Sequence, residues 1–158
     1  MRAILIGLAM VLGVMVAPGA AEANRFSIIG AGCIPDGSTA NQHKVSTGGH
    51  GVNVNGVGTS RFICPIPHFD SGSWSNLLLY YKNTSAFGHK VRAYLRYASI
   101  GSDASVLIMN CESYYLYSGS LCSFPSFTPS ASRWYWVEVF VDRPEASINP
   151  EFLGININ

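Results

Sequence analysis

The sequence predicts an all-β fold: a two-layer antiparallel β-sandwich of Greek-key or jelly-roll type, stabilised by disulfides. Three observations carry this. Clusters of Gly, Ser, Asn and Pro interrupt the chain every roughly 8–12 residues, the spacing of strands joined by turns. No long stretch repeats apolar residues at i, i+3, i+4 and i+7 between recognisable caps. Residues 89–98 and 133–142 alternate apolar and polar side chains, as a strand with one buried face must.

Taken in order, residues 25–31 form the first expected strand, ended by Gly32, and residues 33–39 a turn-rich loop around Pro35-Asp36-Gly37. Short strands follow at 42–47 and 50–55, separated by Gly48-Gly49, with Val52 and Val54 on one face. Residues 59–64 are a strand that Pro65 and Pro67 are expected to end, since proline has no N–H for a ladder. Residues 75–82 are apolar on both faces, which suits a central strand. In 89–98, Val91, Ala93, Leu95 and Tyr97 lie opposite Lys90, Arg92, Tyr94 and Arg96. A strand at 105–111 comes next, and residues 112–132, with Ser118-Gly119-Ser120, Pro125 and Pro129, read as loop. In 133–142, Tyr135, Val137, Val139 and Val141 lie opposite Trp134, Trp136, Glu138 and Phe140. Pro144 stops that strand, and residues 151–158 form the last one. Most connections are too short for the crossover segments that parallel pairing needs.

Ahead of this region, Arg2 and an uncharged run over residues 3–17 precede Pro18-Gly19 and Ala21-Glu22-Ala23. That is the pattern of a cleaved export signal, so residues 1–23 are expected to be removed and residues 24–158 to form one sandwich domain, secreted or periplasmic. The run is shorter than the roughly 20 residues a membrane helix needs. Charged residues make up 12% of the chain and the net charge is +1, which offers no basic face for nucleic acid. The four cysteines suit an oxidising compartment, and of three possible pairings Cys33–Cys64 with Cys111–Cys122 closes the shorter loops. Their spacing matches no zinc site.

The segments C-I-P-D at 33–36, R-F-I-C-P-I-P at 61–67, K-V-R-A-Y-L-R at 90–96, W-Y-W-V-E-V at 134–139 and N-P-E-F-L-G at 149–154 resemble a loose group of small exported bacterial all-β proteins. These share a mid-chain Cys-Pro step and a Trp-rich strand near the end. The resemblance implies an exported all-β domain from a bacterium and carries no activity or site residue.

No catalytic constellation stands out. His43, His50, His68 and His89 have no paired metal-ligand spacing, and no G-x-S-x-G occurs. Glu138, mid-strand among aromatics, is expected to pair across the sheet with Arg92 or Arg96. No cofactor or metal is expected. The aromatics are the least ordinary feature: Trp134 and Trp136 on one strand, Tyr94 between Arg92 and Arg96, and Tyr114, Tyr115 and Tyr117 after Cys111. If open, the face bearing Trp134, Trp136 and Tyr94 offers flat rings for a carbohydrate or a protein surface. The expectation, however, is that a second layer covers it, since large aromatics are usually buried. A non-enzymatic binding protein therefore leads, ahead of a structural or assembly component of a surface and a small secreted hydrolase with a loop-built site.

Overall fold

The computed structural model describes residues 26–37, 43–45, 48–53, 57–67, 72–85, 88–114 and 118–158. The expected leader at residues 1–23 lies outside the described residues, as do His68, Tyr115 and Tyr117. Eleven strands are described: β1 (Phe26–Ile29), β2 (Ile34–Pro35), β3 (His43–Val45), β4 (Gly51–Asn53), β5 (Gly58–Ile66), β6 (Trp74–Lys82), β7 (Lys90–Ser99), β8 (Ser105–Glu112), β9 (Gly119–Phe127), β10 (Arg133–Arg143) and β11 (Glu151–Ile157). A 3-10 turn at Gly30–Gly32 separates β1 from β2.

The strands make two antiparallel sheets. The front sheet has the order β2-β5-β10-β7-β8, and the back sheet β3-β4-β11-β6-β9 with β1 also paired to β11. From β4 to β11 the chain passes between sheets at every connection except β7 to β8. Both β10 and β6 are central, as their apolar character requires. Period-2 alternation then decides the core. The front sheet contributes Phe62, Cys64, Val91, Ala93, Leu95, Val137, Val139 and Val141, and the back sheet Leu77, Leu79, Tyr81, Phe152, Ile155 and Ile157, all nearly inaccessible to solvent.

Two disulfides brace this frame. Cys33–Cys64 ties the segment after the 3-10 turn to β5, and Cys111–Cys122 ties β8 to β9 across the two sheets. Gly154 sits where β11 slips register against β6 and runs beside β1. A Cβ there would lie 2.6 Å from the carbonyl oxygen of Ile28, so only glycine lets β1 approach.

Two expectations need correction. β9 occupies part of the span read as loop. It pairs with β6 alone, and an edge strand tolerates Pro125 and its serines because one side of its backbone needs no partner. β5 also continues through Pro65 to Ile66. Pro65 lies opposite Trp136 on β10, while β2 pairs with β5 at Ile63 and Phe62 and not at Pro65. The missing N–H therefore costs no ladder bond.

Candidate functional site

The outer face of the front sheet is built in rows by strand register. Arg61 (β5), Phe140 (β10), Arg92 (β7) and Glu112 (β8) form one row. Ile63, Glu138, Tyr94 and Asn110 form the next, and Pro65, Trp136, Arg96 and Leu107 the third. Trp134 and Ala98 follow. Cross-strand partners lie on the same side of a sheet, so residues distant in sequence share one surface.

The expectation that a second layer covers Trp134 and Trp136 is overturned. Trp134 is 64% exposed and Trp136 half-buried. The back sheet packs only on the valine side of β10, and the outer side is shielded by its own long side chains. Trp136 donates its indole N–H toward Glu138 at 3.4 Å. Tyr94, one row away, meets the Phe140 ring edge-on at 5.4 Å between centroids.

Beside these rings the charges are interlocked. Arg61 donates to Asp36 at 2.7 Å and to Glu138 at 2.6 Å. Glu138 accepts a second guanidinium bond from Arg96 at 2.9 Å. Arg92 grips Asp142 with two donors, at 2.6 and 3.0 Å, and reaches the Tyr94 hydroxyl at 3.2 Å. Thr59 donates to Asp142 as well, and Lys90 pairs with Glu112. The guanidinium carbons of Arg61 and Arg92 sit 5.8 and 5.6 Å from the centre of the Phe140 ring, within cation–π range. Glu138 is 7% exposed, and its two arginines stabilise the buried carboxylate. Four cations (Arg61, Lys90, Arg92, Arg96) and four carboxylates (Asp36, Glu112, Glu138, Asp142) neutralise one another on this face.

Burial lowers the proton affinity of Arg61, and the hydrogen bond and charge of Glu138, with Asp36, more than reverse this, so its pKa lies above the ordinary arginine value. Arg92 is raised too, first by its hydrogen bond to Asp142, against burial. A raised folded-state pKa stabilises below the unfolded value and is lost only above it. Both arginines therefore stay charged throughout the neutral range.

Sequence reasoning set Trp134 and Trp136 opposite Val137 and Val139, and Tyr94 opposite Val91, Ala93 and Leu95, and the structure puts Trp136 and Tyr94 on the adjacent strands β10 and β7. Glu138 takes Arg96, one of its two expected partners, while Arg92 goes to Asp142. The contribution of Arg61 was missed. The signal was present, because the inward set Phe62, Cys64 and Ile66 forces Arg61, Ile63 and Pro65 outward.

Among the described residues, His50 and His89 fall elsewhere. His50 bonds Glu151 at 2.8 Å, and Glu151 is also held by Lys82 and Asn83. This cluster ties the Gly48-Gly49 turn to β11 and β6. His89 is fully buried, its Nδ1 facing the Ser85 hydroxyl at 2.7 Å and its Nε2 the Glu145 carbonyl at 3.3 Å. With a carbonyl on Nε2, that nitrogen carries the proton and Ser85 donates to Nδ1. The two contacts fasten the segments at Ser85 and Glu145 to the start of β7. Among the described residues no three His, Cys, Asp or Glu side chains converge to hold a metal ion.

No protein-family model matches the sequence, and no curated protein matches it either. Solved structures of similar shape include a low-affinity xylan-binding module, CBM86, from Roseburia intestinalis, with a TM-score of 0.49 and 9% identity over 85% of this chain and 94% of that one. Another is a family 11 carbohydrate-binding module from Clostridium thermocellum in complex with a β-1,3-1,4-mixed-linked tetrasaccharide, with a TM-score of 0.46 and 11% identity over 85% and 88%.

Proposed function

We propose that this protein is a non-catalytic, exported carbohydrate-binding domain, and that the outer face of the front sheet is its binding surface. One observation carries the reading: an aromatic strip of Trp134 and Trp136 runs into a charge network that is already neutralised. A sugar ring has an apolar C–H face and a rim of hydroxyls. Flat indoles suit the face, and fixed guanidinium and carboxylate groups suit the rim, since charged hydrogen-bond partners are the strong ones. With cations and carboxylates matched on this surface, no net charge is offered to an acidic polymer, and the ligand is a neutral glycan. The two disulfides fit an oxidising compartment, in keeping with a leader cleaved after Ala23.

A glycan array with the mature protein, followed by titration calorimetry on each hit, tests this. Neutral oligosaccharides are expected to bind, with affinity lost in Trp136→Ala. Binding confined to uronic-acid or sulfated glycans, or none at all, would overturn it.

A second reading has its own observation. β8 ends the front sheet with Val106 and Leu107 exposed, and such an edge suits strand addition in an assembly. Light scattering that gives a monomer at high concentration would dismiss it.

A further inference from the structure

β8 and β9 are edge strands of opposite sheets, joined by Cys111–Cys122. Toward the other ends of the same two strands a cavity of about 310 Å³ lies between the sheets, lined by Tyr97, Leu107, Ile108, Phe127, Thr128 and Arg133. Its position follows from local sequence. β8 slips register against β7 between Leu95 and Arg96, so Ile108 has no partner on β7. The floor is aromatic, because Tyr97 and Phe127 both lean on Tyr135, at 6.1 and 6.0 Å between ring centres.

Arg133 makes this cavity more than a gap. Its guanidinium carbon stands 4.2 Å from the centre of the Tyr97 ring. Arg61, Arg92 and Arg96 are all bound to carboxylates, and Arg143 to the carbonyls of Ile148 and Ala146. Among the described residues the Arg133 guanidinium has neither a carboxylate nor a hydrogen-bond acceptor. An unpaired guanidinium on an apolar, partly enclosed site of this size selects a planar oxyanion that carries an apolar body.

We propose that this cavity binds a small amphipathic carboxylate, with its apolar body between Tyr97, Ile108 and Phe127 and its carboxylate paired two-pronged with Arg133. The proposal is independent of the glycan reading: Tyr97, Ile108, Phe127 and Arg133 take no part in that face, and only Leu107, at the end of its third row, borders both.

The test is nuclear magnetic resonance titration of the mature protein with trans-cinnamate, cinnamamide and acetate. Cinnamate should shift the signals of Tyr97, Ile108 and Phe127 saturably. Cinnamamide, which lacks the charge, and acetate, which lacks the body, should each bind at least tenfold more weakly. Arg133→Met should weaken cinnamate at least tenfold, and Arg133→Lys by less. Leu107→Trp, at an exposed position on the rim, should block the cavity while leaving the melting temperature unchanged. Absence of saturable shifts, equal affinity for cinnamamide, or cinnamate binding undiminished in both Arg133→Met and Leu107→Trp would overturn the proposal.

Discussion

The two outer faces of the sandwich differ sharply. On the back sheet, register sets Leu78 beside Leu121 and Asn156, Asn76 beside Ser123, and Tyr80 beside Gly119. No arginine lies on those strands, and Leu121 is 65% exposed. On the front sheet the same antiparallel geometry carries three arginines locked to carboxylates around Phe140 and Glu138, next to two tryptophans. Fold requirements explain the back face, since a few exposed apolar side chains such as Tyr80 and Leu121 among Asn76, Ser123 and Asn156 are ordinary on a solvated sheet. They do not explain a nearly buried glutamate held by two arginines, because ion pairs of this kind add little net stability. The lesson is that the front face is organised beyond what folding asks.

The largest expected effect lies beneath both faces. Val139→Asp would place an unpaired charge in the core that both sheets share, which is among the most severe single changes. The variant should fail to fold, seen as loss of soluble protein or of a cooperative melt. Normal folding would mean that the inward and outward sets of β10 are reversed, and the comparison would collapse. Next, Cys111→Ser with Cys122→Ser should cost about 2–4 kcal/mol in denaturant unfolding, the usual range for a native disulfide. A smaller loss would show that packing alone holds β8 to β9.

Two substitutions sharpen the contrast between the faces. Glu138→Gln keeps the shape but leaves Arg61 and Arg96 without their shared charge, and should cost about 2 kcal/mol together with ligand binding. Trp136→Ala, at a half-buried site, should cost less than the roughly 3–5 kcal/mol of a core aromatic. A full core-sized loss would mean that Trp136 serves packing and not recognition.

Much of the fold was legible, for a physical reason. Where one face is buried and the other wet, alternation is enforced, so β7 and β10 could be read with their faces assigned. β9 was hidden because an edge strand escapes that constraint, and Pro125 then resembles a loop signal. The candidate site was legible in part. Alternation alone could set Trp134 and Trp136 opposite the valines of β10, and Tyr94 opposite the apolar set of β7. Whether that face lay open depended on which sheet packs where, and alternation is blind to this. The clamp of Arg61 and Arg92 on Phe140 depends on β5 and β7 flanking β10, a pairing between segments far apart in sequence.

The central claim is that the front face recognises a neutral glycan and the back face does not. The most direct measurement is affinity electrophoresis through gels containing neutral polysaccharides, comparing the parent protein with Trp136→Ala and with Leu121→Ser as the back-face control. The account predicts that the parent and Leu121→Ser are retarded equally while Trp136→Ala migrates as it does without polysaccharide. Retardation lost in Leu121→Ser and kept in Trp136→Ala would contradict it.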